Sequence, residues 1–344
     1  MDFKRLRQKL LLWYARNHRD LPWRRTRDPY AIWIAETMLQ QTQVKTVLPY
    51  YRRFLNAFPT IQALDRASPQ RVLTLWAGLG YYRRAENLKR AARRIVREHH
   101  GKIPRDWNHL IALPGVGSYT AGALLSIAFD QPFPAVDGNT RRLLTRVFNA
   151  KNEKELAKIA RRLAQQAQPG RLNQALMELG ATICLPRDPR CGECPIATFC
   201  DAFKTARPLM TPAGVRKRPT RKIDWPLVLI QSGGEILLRR RPSGGLLGGL
   251  WEAPGGEKRK EESAKDALMR HLNGLGRHVK SMVLVGEIRH SITDRRIRAT
   301  IFNVQLRKRT APPDSTWSWI ASSSLQRHPL SSLTRKALRL VAES

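Results

Sequence analysis

Apolar residues in the N-terminal part of the chain recur at three- and four-residue intervals, the period that lines one face of a helix. MDFKRLRQKLLLWYARNHRD reads as an amphipathic helix, and residues 1 to about 130 continue as a succession of helices with strand signals nearly absent. AIWIAETMLQQTQVKTVLPYYRRFLNAF is long enough for one helix followed by a second beyond Pro49, and LKRAARRIVREHH is strongly basic on one side. Beyond residue 222 the period changes. WPLVLIQSGGEILLRRRP is two short apolar runs around a Ser-Gly-Gly turn, a hairpin signal. SMVLVGEIRHSITDRRIRATIFNVQL reads as two further strands, and EESAKDALMRHLNGL as a helix with acids at its start.

That change divides the chain. At 344 residues it exceeds the usual size of one core, so two domains are expected. Residues 1–205 form a mostly helical region and residues 223–344 a separate α+β domain. Between them, residues 206–222 contain three prolines, a cluster of bases and no acid, which suits an exposed linker. No run of about twenty apolar residues is present to cross a bilayer. The charged N-terminus lacks a small-residue cleavage site, so a soluble, cytoplasmic protein is expected.

Charge narrows the choice of partner. Sixty-two Lys and Arg against 27 Asp and Glu leave a formal +35, distributed as +19 over residues 1–205, +6 over 206–222 and +10 over 223–344. Such an excess implies a polyanionic partner, of which nucleic acid is the commonest, because each neutralised phosphate releases counterions; an anionic membrane surface or a merely basic proteome is the alternative. With the excess spread along the whole chain, both ends can face the same anion.

Four stretches carry candidate chemistry. All four cysteines, Cys184, Cys191, Cys194 and Cys200, fall within 17 residues as C-x6-C-x2-C-x5-C. Two disulfides are disfavoured in a large chain with no other cysteine, so a metal site is expected, either tetrahedral zinc or a 4Fe-4S cluster. Too short to bury much apolar surface, the loop is expected to take its order from the metal. In LPGVGSYTAG the glycines allow a turn whose amides converge outward beside a helix N-terminus, a seat for a phosphate formed by Gly115, Gly117 and Ser118. In AIWIAETMLQQTQV, Glu36 is the sole acid among apolar neighbours, with Gln40 and Gln43 following at i+4 and i+7 on one helical face. Burial favours its protonated form, which a general acid needs. Asp137 precedes the helix RRLLTRVF, where it caps orphan amides that favour its charged form.

LPGVGSYTAG, followed by AVDGNTRRLLTRVF and the four-cysteine loop, resembles the iron-sulfur branch of the helix-hairpin-helix DNA glycosylase superfamily. LPWR, ETMLQQTQV, GLGYYRRAENL and GGLWEAPGG resemble, within it, the MutY family of adenine DNA glycosylases, and the likeness runs over nearly the whole chain. The resemblance implies a 4Fe-4S cluster, and double-stranded DNA carrying an adenine mispaired with 8-oxoguanine or guanine as the partner of a monomeric enzyme. It implies Glu36 as the acid that protonates the leaving base and Asp137 as the charge that stabilises the sugar cation, with Tyr119 and Asn139 beside it. Superfamily members that also cut the backbone place a lysine at the position of Tyr119. A phenol forms no imine, so base removal by water is expected. Arg24, Gln41, Thr42, Leu79 and Tyr81 are implied as DNA contacts, with Gln41 and Tyr81 inserted near the orphaned partner base.

The C-terminal part resembles the MutT-like, or Nudix, fold. Aligning Gly255 and Glu261 on the Nudix pattern puts Met269 and Arg270 at its Arg-Glu pair, and Asn273 and Gly274 at its paired glutamates, so the hydrolase metal site is missing. Lesion recognition is implied instead. The family's Phe-Ser-His loop is met by Ile292, Thr293 and Asp294, where the acid repels phosphate, and discrimination opposite the adenine is expected to be altered. Two other functions compete: an endonuclease III-like glycosylase/lyase on oxidised pyrimidines, opposed by Tyr119 and the extra domain, and a non-catalytic iron-sulfur DNA-binding protein, opposed by the two carboxylates.

Overall fold

A computed structural model describes residues 2–165, 168–205, 219–242, 244–245, 247–292 and 294–343. Contacts divide the chain into two compact units, Met1–Asp65 with Asn87–Arg216, and Arg66–Glu86 with Lys217–Ser344.

The first unit is helical. Its elements include α1 (Phe3–Asn17), α2 (Pro29–Leu39), α3 (Val44–Ala57), α4 (Ile61–Arg66), most of α6 (Arg83–Glu98), α7 (Trp107–Ile111), α8 (Ser118–Ile127), α9 (Gly138–Phe148), α10 (Glu153–Ala164), α11 (Pro169–Thr182) and α12 (Asp201–Lys204), with α5 (Pro69–Trp76) and the start of α6 in the other unit. Local chemistry fixes the ends that matter. Asp28 caps α2 by accepting from the Tyr30 and Ala31 amides ahead of Pro29, and Asp137 caps α9 by accepting from Thr140. One core gathers Leu6 and Leu10 of α1, Leu143 and Val147 of α9, and Leu172 and Leu179 of α11, with Cys184, Cys194 and Cys200 packed on its edge.

The break after α2 falls earlier than the sequence pattern predicts. α2 ends at Leu39, Gln41 turns through a positive φ of 55°, and Pro49 lies inside α3. Pro49 removes only the amide that would bond to the Lys45 carbonyl, so the helix continues through it at the loss of one bond. Gln40 and Gln43 consequently flank a turn and do not share a helix with Glu36.

In the second unit β1 (Arg221–Asp224), β2 (Leu227–Ser232), β3 (Glu235–Arg240), β4 (Trp251–Glu252), β5 (Val279–Ile292), β6 (Arg295–Leu306) and β7 (Trp317–Ala321) form a mixed sheet, ordered β1-β6-β2-β3-β4, with β5 pairing β6 and β7 pairing β3. The expected hairpin forms, with β2 and β3 antiparallel about Gly233 and Gly234, both at positive φ, and the two further expected strands, β5 and β6, pair antiparallel. The parallel β2–β6 pair is central. Leu227 and Leu229 of β2 pack with Leu333 and Ala337 of α14 (Ser332–Glu343), while Val228 and Ile230 pack with Leu268 and Leu272 at α13 (Ala264–His271). A strand covered on both faces reads as the unbroken apolar run LVLI. The segment expected as a linker is outside the described residues from 206 to 218, and Arg221 and Lys222 already belong to β1.

Candidate functional site

Glu36 sits in the last turns of α2, and burial leaves it only 4% exposed. The Tyr119 hydroxyl, from the first turn of α8, donates to Glu36 Oε2 at 2.5 Å and lies 3.7 Å from Met177 Sδ. Burial pushes the Glu36 carboxyl up to about 7, helped by the nearby Asp137 and opposed by the Tyr119 hydrogen bond and by Arg24. Burial and the two carboxylates push the Tyr119 phenol up as well, so it remains a donor. Asp137 accepts from the Thr140 amide at 2.7 Å and from Asn139 Nδ2 at 3.3 Å. Glu36, Tyr119, Asp137 and Asn139 all line one cavity of about 1040 Å³, with Gln40 and Gln43 on its wall despite the break between their helices.

Close helix approach builds the far side of this cavity. A Cβ on Gly180 of α11 would lie 2.9 Å from Asn139 Cβ, so only glycine lets α11 close on the start of α9. Two turns before it along α11 lies Gln174, whose Oε1 accepts from the Tyr14 hydroxyl at 3.0 Å. One turn on is Glu178, a residue that sequence reasoning passed over. It is fully buried and takes hydrogen bonds from the Arg19 amide and guanidinium and from Arg24 Nη2 at 2.6 Å. Burial alone would raise its carboxyl, but these donors bring it down to about 2. Its signal was available: a lone acid in the apolar stretch ALMELGA, matched by the bases Arg19 and Arg24 far away in sequence.

The remaining expected contacts divide into three groups. Arg24 lines the cavity but is held by Glu178 and by the Arg19 carbonyl, and Gln41 and Thr42 line its rim. Gly115, at φ 79°, Gly117 and Ser118 form an exposed turn, and α8 begins there with no side-chain cap. In the second unit Leu79 is buried, whereas Tyr81 is 44% exposed at φ 47°, with the Arg84 guanidinium 5.3 Å from its ring centroid. Thr293 lies outside the described residues; Asp294 is in the β5–β6 turn, its carbonyl accepting from the Arg221 amide at 2.8 Å. Of the Nudix positions, Arg270 is paired with Glu262 and Asn273 and Gly274 turn through positive φ, so no carboxylate stands at any of them.

Cys184, Cys191, Cys194 and Cys200 line a second cavity together with Arg146 and Leu143 of α9. Burial raises the thiols of Cys191, Cys194 and Cys200, Cys194 to about 11, so a bound cation is what would hold this donor set as thiolates. Two arginines of α9 lace the loop to the helix. Arg146 donates to Cys184 Sγ and to the Leu185 and Pro186 carbonyls, while Arg142 donates to the Cys184 and Gly180 carbonyls and to Asn139 Oδ1.

A buried carboxyl with a raised pKa and a capped aspartate lining one cavity, beside a four-cysteine loop, match the class of iron-sulfur base-excision glycosylases. Accordingly, the family model for the HhH-GPD superfamily base excision DNA repair protein matches residues 34–169, that for the iron-sulfur binding domain of endonuclease III matches 184–200, and that for the NUDIX domain matches 226–340. The chain is 36% identical to adenine DNA glycosylase of Homo sapiens, covering 90% of this chain and 69% of that one, and 35% identical to that of Mus musculus, covering 92% and 74%. A solved thermostable thymine-DNA glycosylase superposes on 59% of this chain and 97% of its own, with TM-score 0.56 at 30% identity. The chain belongs to the adenine DNA glycosylase family and carries a 4Fe-4S cluster in the region 184–200, which contains its four cysteines.

Proposed function

We propose that the chain hydrolyses the N-glycosidic bond of adenine mispaired with 8-oxoguanine or guanine in duplex DNA, with no lyase step of its own. The observation that carries this reading is the raised, buried carboxyl of Glu36 in the same cavity as Asp137. With the nucleotide extruded into the cavity, protonated Glu36 gives its proton to a ring nitrogen of adenine, which leaves as a neutral base. The sugar that remains is cationic. Asp137, oriented by Asn139 and the Thr140 amide, faces it as a fixed negative charge, and the Tyr119 hydroxyl holds Glu36 in place. Water then adds to the sugar carbon, and its proton returns to Glu36, giving free adenine and an abasic site. The 4Fe-4S cluster supplies order to residues 184–200.

Further parts of this reading concern the DNA. The Gly115–Ser118 turn grips a phosphate, Arg24 helps shape the base pocket, and Gln41, Thr42, Leu79 and Tyr81 border the partner base. Thr293 and Asp294 lie at the lesion. Residues 1–205 act as the catalytic region and 223–344 as the recognition domain, joined by 206–222, in a cytoplasmic monomer. The test is to incubate the purified protein with duplexes carrying adenine opposite 8-oxoguanine, adenine opposite guanine and an oxidised pyrimidine, with and without alkali. Strand cleavage at adenine only after alkali is expected; cleavage at the pyrimidine without alkali sinks the proposal. Excision by Asp294→Ala opposite 8-oxoguanine versus guanine reads whether the acid serves discrimination.

A further inference from the structure

A cavity of about 700 Å³ opens in the second unit between β1, the segment 257–260 and α13. Six cations line it: Arg221, Lys222, Lys258, Arg259, Lys260 and Arg270. The carboxylates around it are already matched. Glu257 accepts from Arg221 at 2.5 Å, Asp224 from Arg298 at 2.9 Å, and Glu262 from Arg270 at 2.6 Å. Lys258 donates its ammonium to the Glu262 carbonyl, a neutral acceptor that leaves its charge uncompensated. Among the described residues no ion pair holds the Lys222, Arg259 or Lys260 side chains, although the Arg259 amide donates to Glu262 Oε2 at 2.9 Å. Positive charge therefore remains in surplus within a concave site, at the helix where the Nudix pattern asks for cation-holding glutamates and this chain has Arg270.

We infer that this cavity is a phosphate-binding site, its chemistry inverted from cation to anion. Guanidinium and ammonium donors converging on one concavity match the oxygens of a phosphoryl group, and a divalent cation is repelled there. The phosphoryl group has two possible sources, the backbone of duplex DNA beyond the lesion or a free nucleotide polyphosphate. In either case the site is separate from the adenine cavity and its residues take no part in excision.

The experiment uses the full-length chain with its cluster, and the triple variant Lys222→Gln, Arg259→Gln, Lys260→Gln, which breaks none of the close ion pairs named above. In one arm, affinity for a fully matched duplex is measured against salt; each backbone phosphate lost from the site lowers the slope of log K against log salt by about 0.9. In the other, sodium pyrophosphate is titrated calorimetrically without DNA. A shallower slope in the variant assigns the site to the backbone, and pyrophosphate binding that the variant loses assigns it to a free polyphosphate. An unchanged slope together with no variant-sensitive pyrophosphate binding overturns the inference. Lys260→Glu, a single exposed change, repeats both arms should the triple variant melt early. Because the duplex is matched, failure of the adenine reading leaves this result intact, and single-turnover adenine excision at saturating enzyme is expected at the wild-type rate in both variants.

Discussion

Glu36, almost fully buried, has its carboxyl raised to about 7, and that single property accounts for its chemistry and for three measurable consequences. Glu36→Gln is expected to retain DNA binding and lose excision by about 10²- to 10⁴-fold in single-turnover assays, since the amide cannot donate an acidic proton. In the wild type the single-turnover rate should fall as pH rises through about 7, where Glu36 ionises. The same shift acts on stability. The folded chain holds a proton that the unfolded chain releases, so this contribution is full below the ordinary value of 4.5 and lost as pH rises through about 7. Urea midpoints at pH 5 and pH 8 should therefore differ more for wild type than for Glu36→Gln. At Tyr119 the expected gain is chemical: Tyr119→Lys brings an amine to the cavity, and a borohydride-trapped enzyme–DNA adduct should appear above the wild-type background. Glu36, Asp137 and Tyr119 were picked out by the motifs they stand in, and the structure brings all three to one cavity. Glu178 was not, because its meaning depends on Arg19 and Arg24, some 150 positions away.

Among the helices of the first unit, α11 packs on α1, α8, α9 and α10. Glu178 ties it to the segment after α1, and Gly180 lets it close on α9. Removing one partner of a buried pair leaves charge uncompensated, so Glu178→Gln should lower stability by about 3 kcal/mol, read as a drop in thermal midpoint. The pH dependence runs opposite to that of Glu36. Because the Glu178 carboxyl is depressed to about 2, its contribution is present above 4.5 and lost as pH falls toward 2. The hairpin β2–β3 was legible from strand period and its turn glycines, and β5 and β6 from strand period alone, signals that act locally. The end of α2 at Leu39 was not: Gln40 is held by Thr120 of α8 at 3.2 Å, and Gln41 adopts its positive φ in that tertiary setting, whereas the apparent breaker Pro49 sits within a helix.

At the scale of the molecule, the cysteine loop and the reaction centre are one hydrogen-bonded system. The sequence led to the expectation that the loop takes its order from the metal. Arg142 spans the Cys184 carbonyl and Asn139 Oδ1, each at 2.9 Å, so disorder in the loop reaches the partner of Asp137 directly. Cys200→Ser should lose the visible absorbance of the cluster, become sensitive to protease at residues 184–200, and lose excision in proportion to the cluster lost. Normal excision by a cluster-free protein would contradict this link. The surplus of +35 operates at the same scale, raising affinity for any duplex and making it steeply dependent on salt.

Charge, periodicity and motif spacing were enough to establish a basic, two-part molecule, its helical and α+β halves, its four-cysteine loop and its two carboxylates, because those features are written in residue type and short-range order. Three-dimensional packing alone decided that Glu36 is dry enough to hold a proton, that Arg24 is held by Glu178, and that Arg142 joins loop to site. Each of these depends on solvent exclusion or on partners brought together from distant parts of the chain, and neither is encoded in any one stretch of sequence.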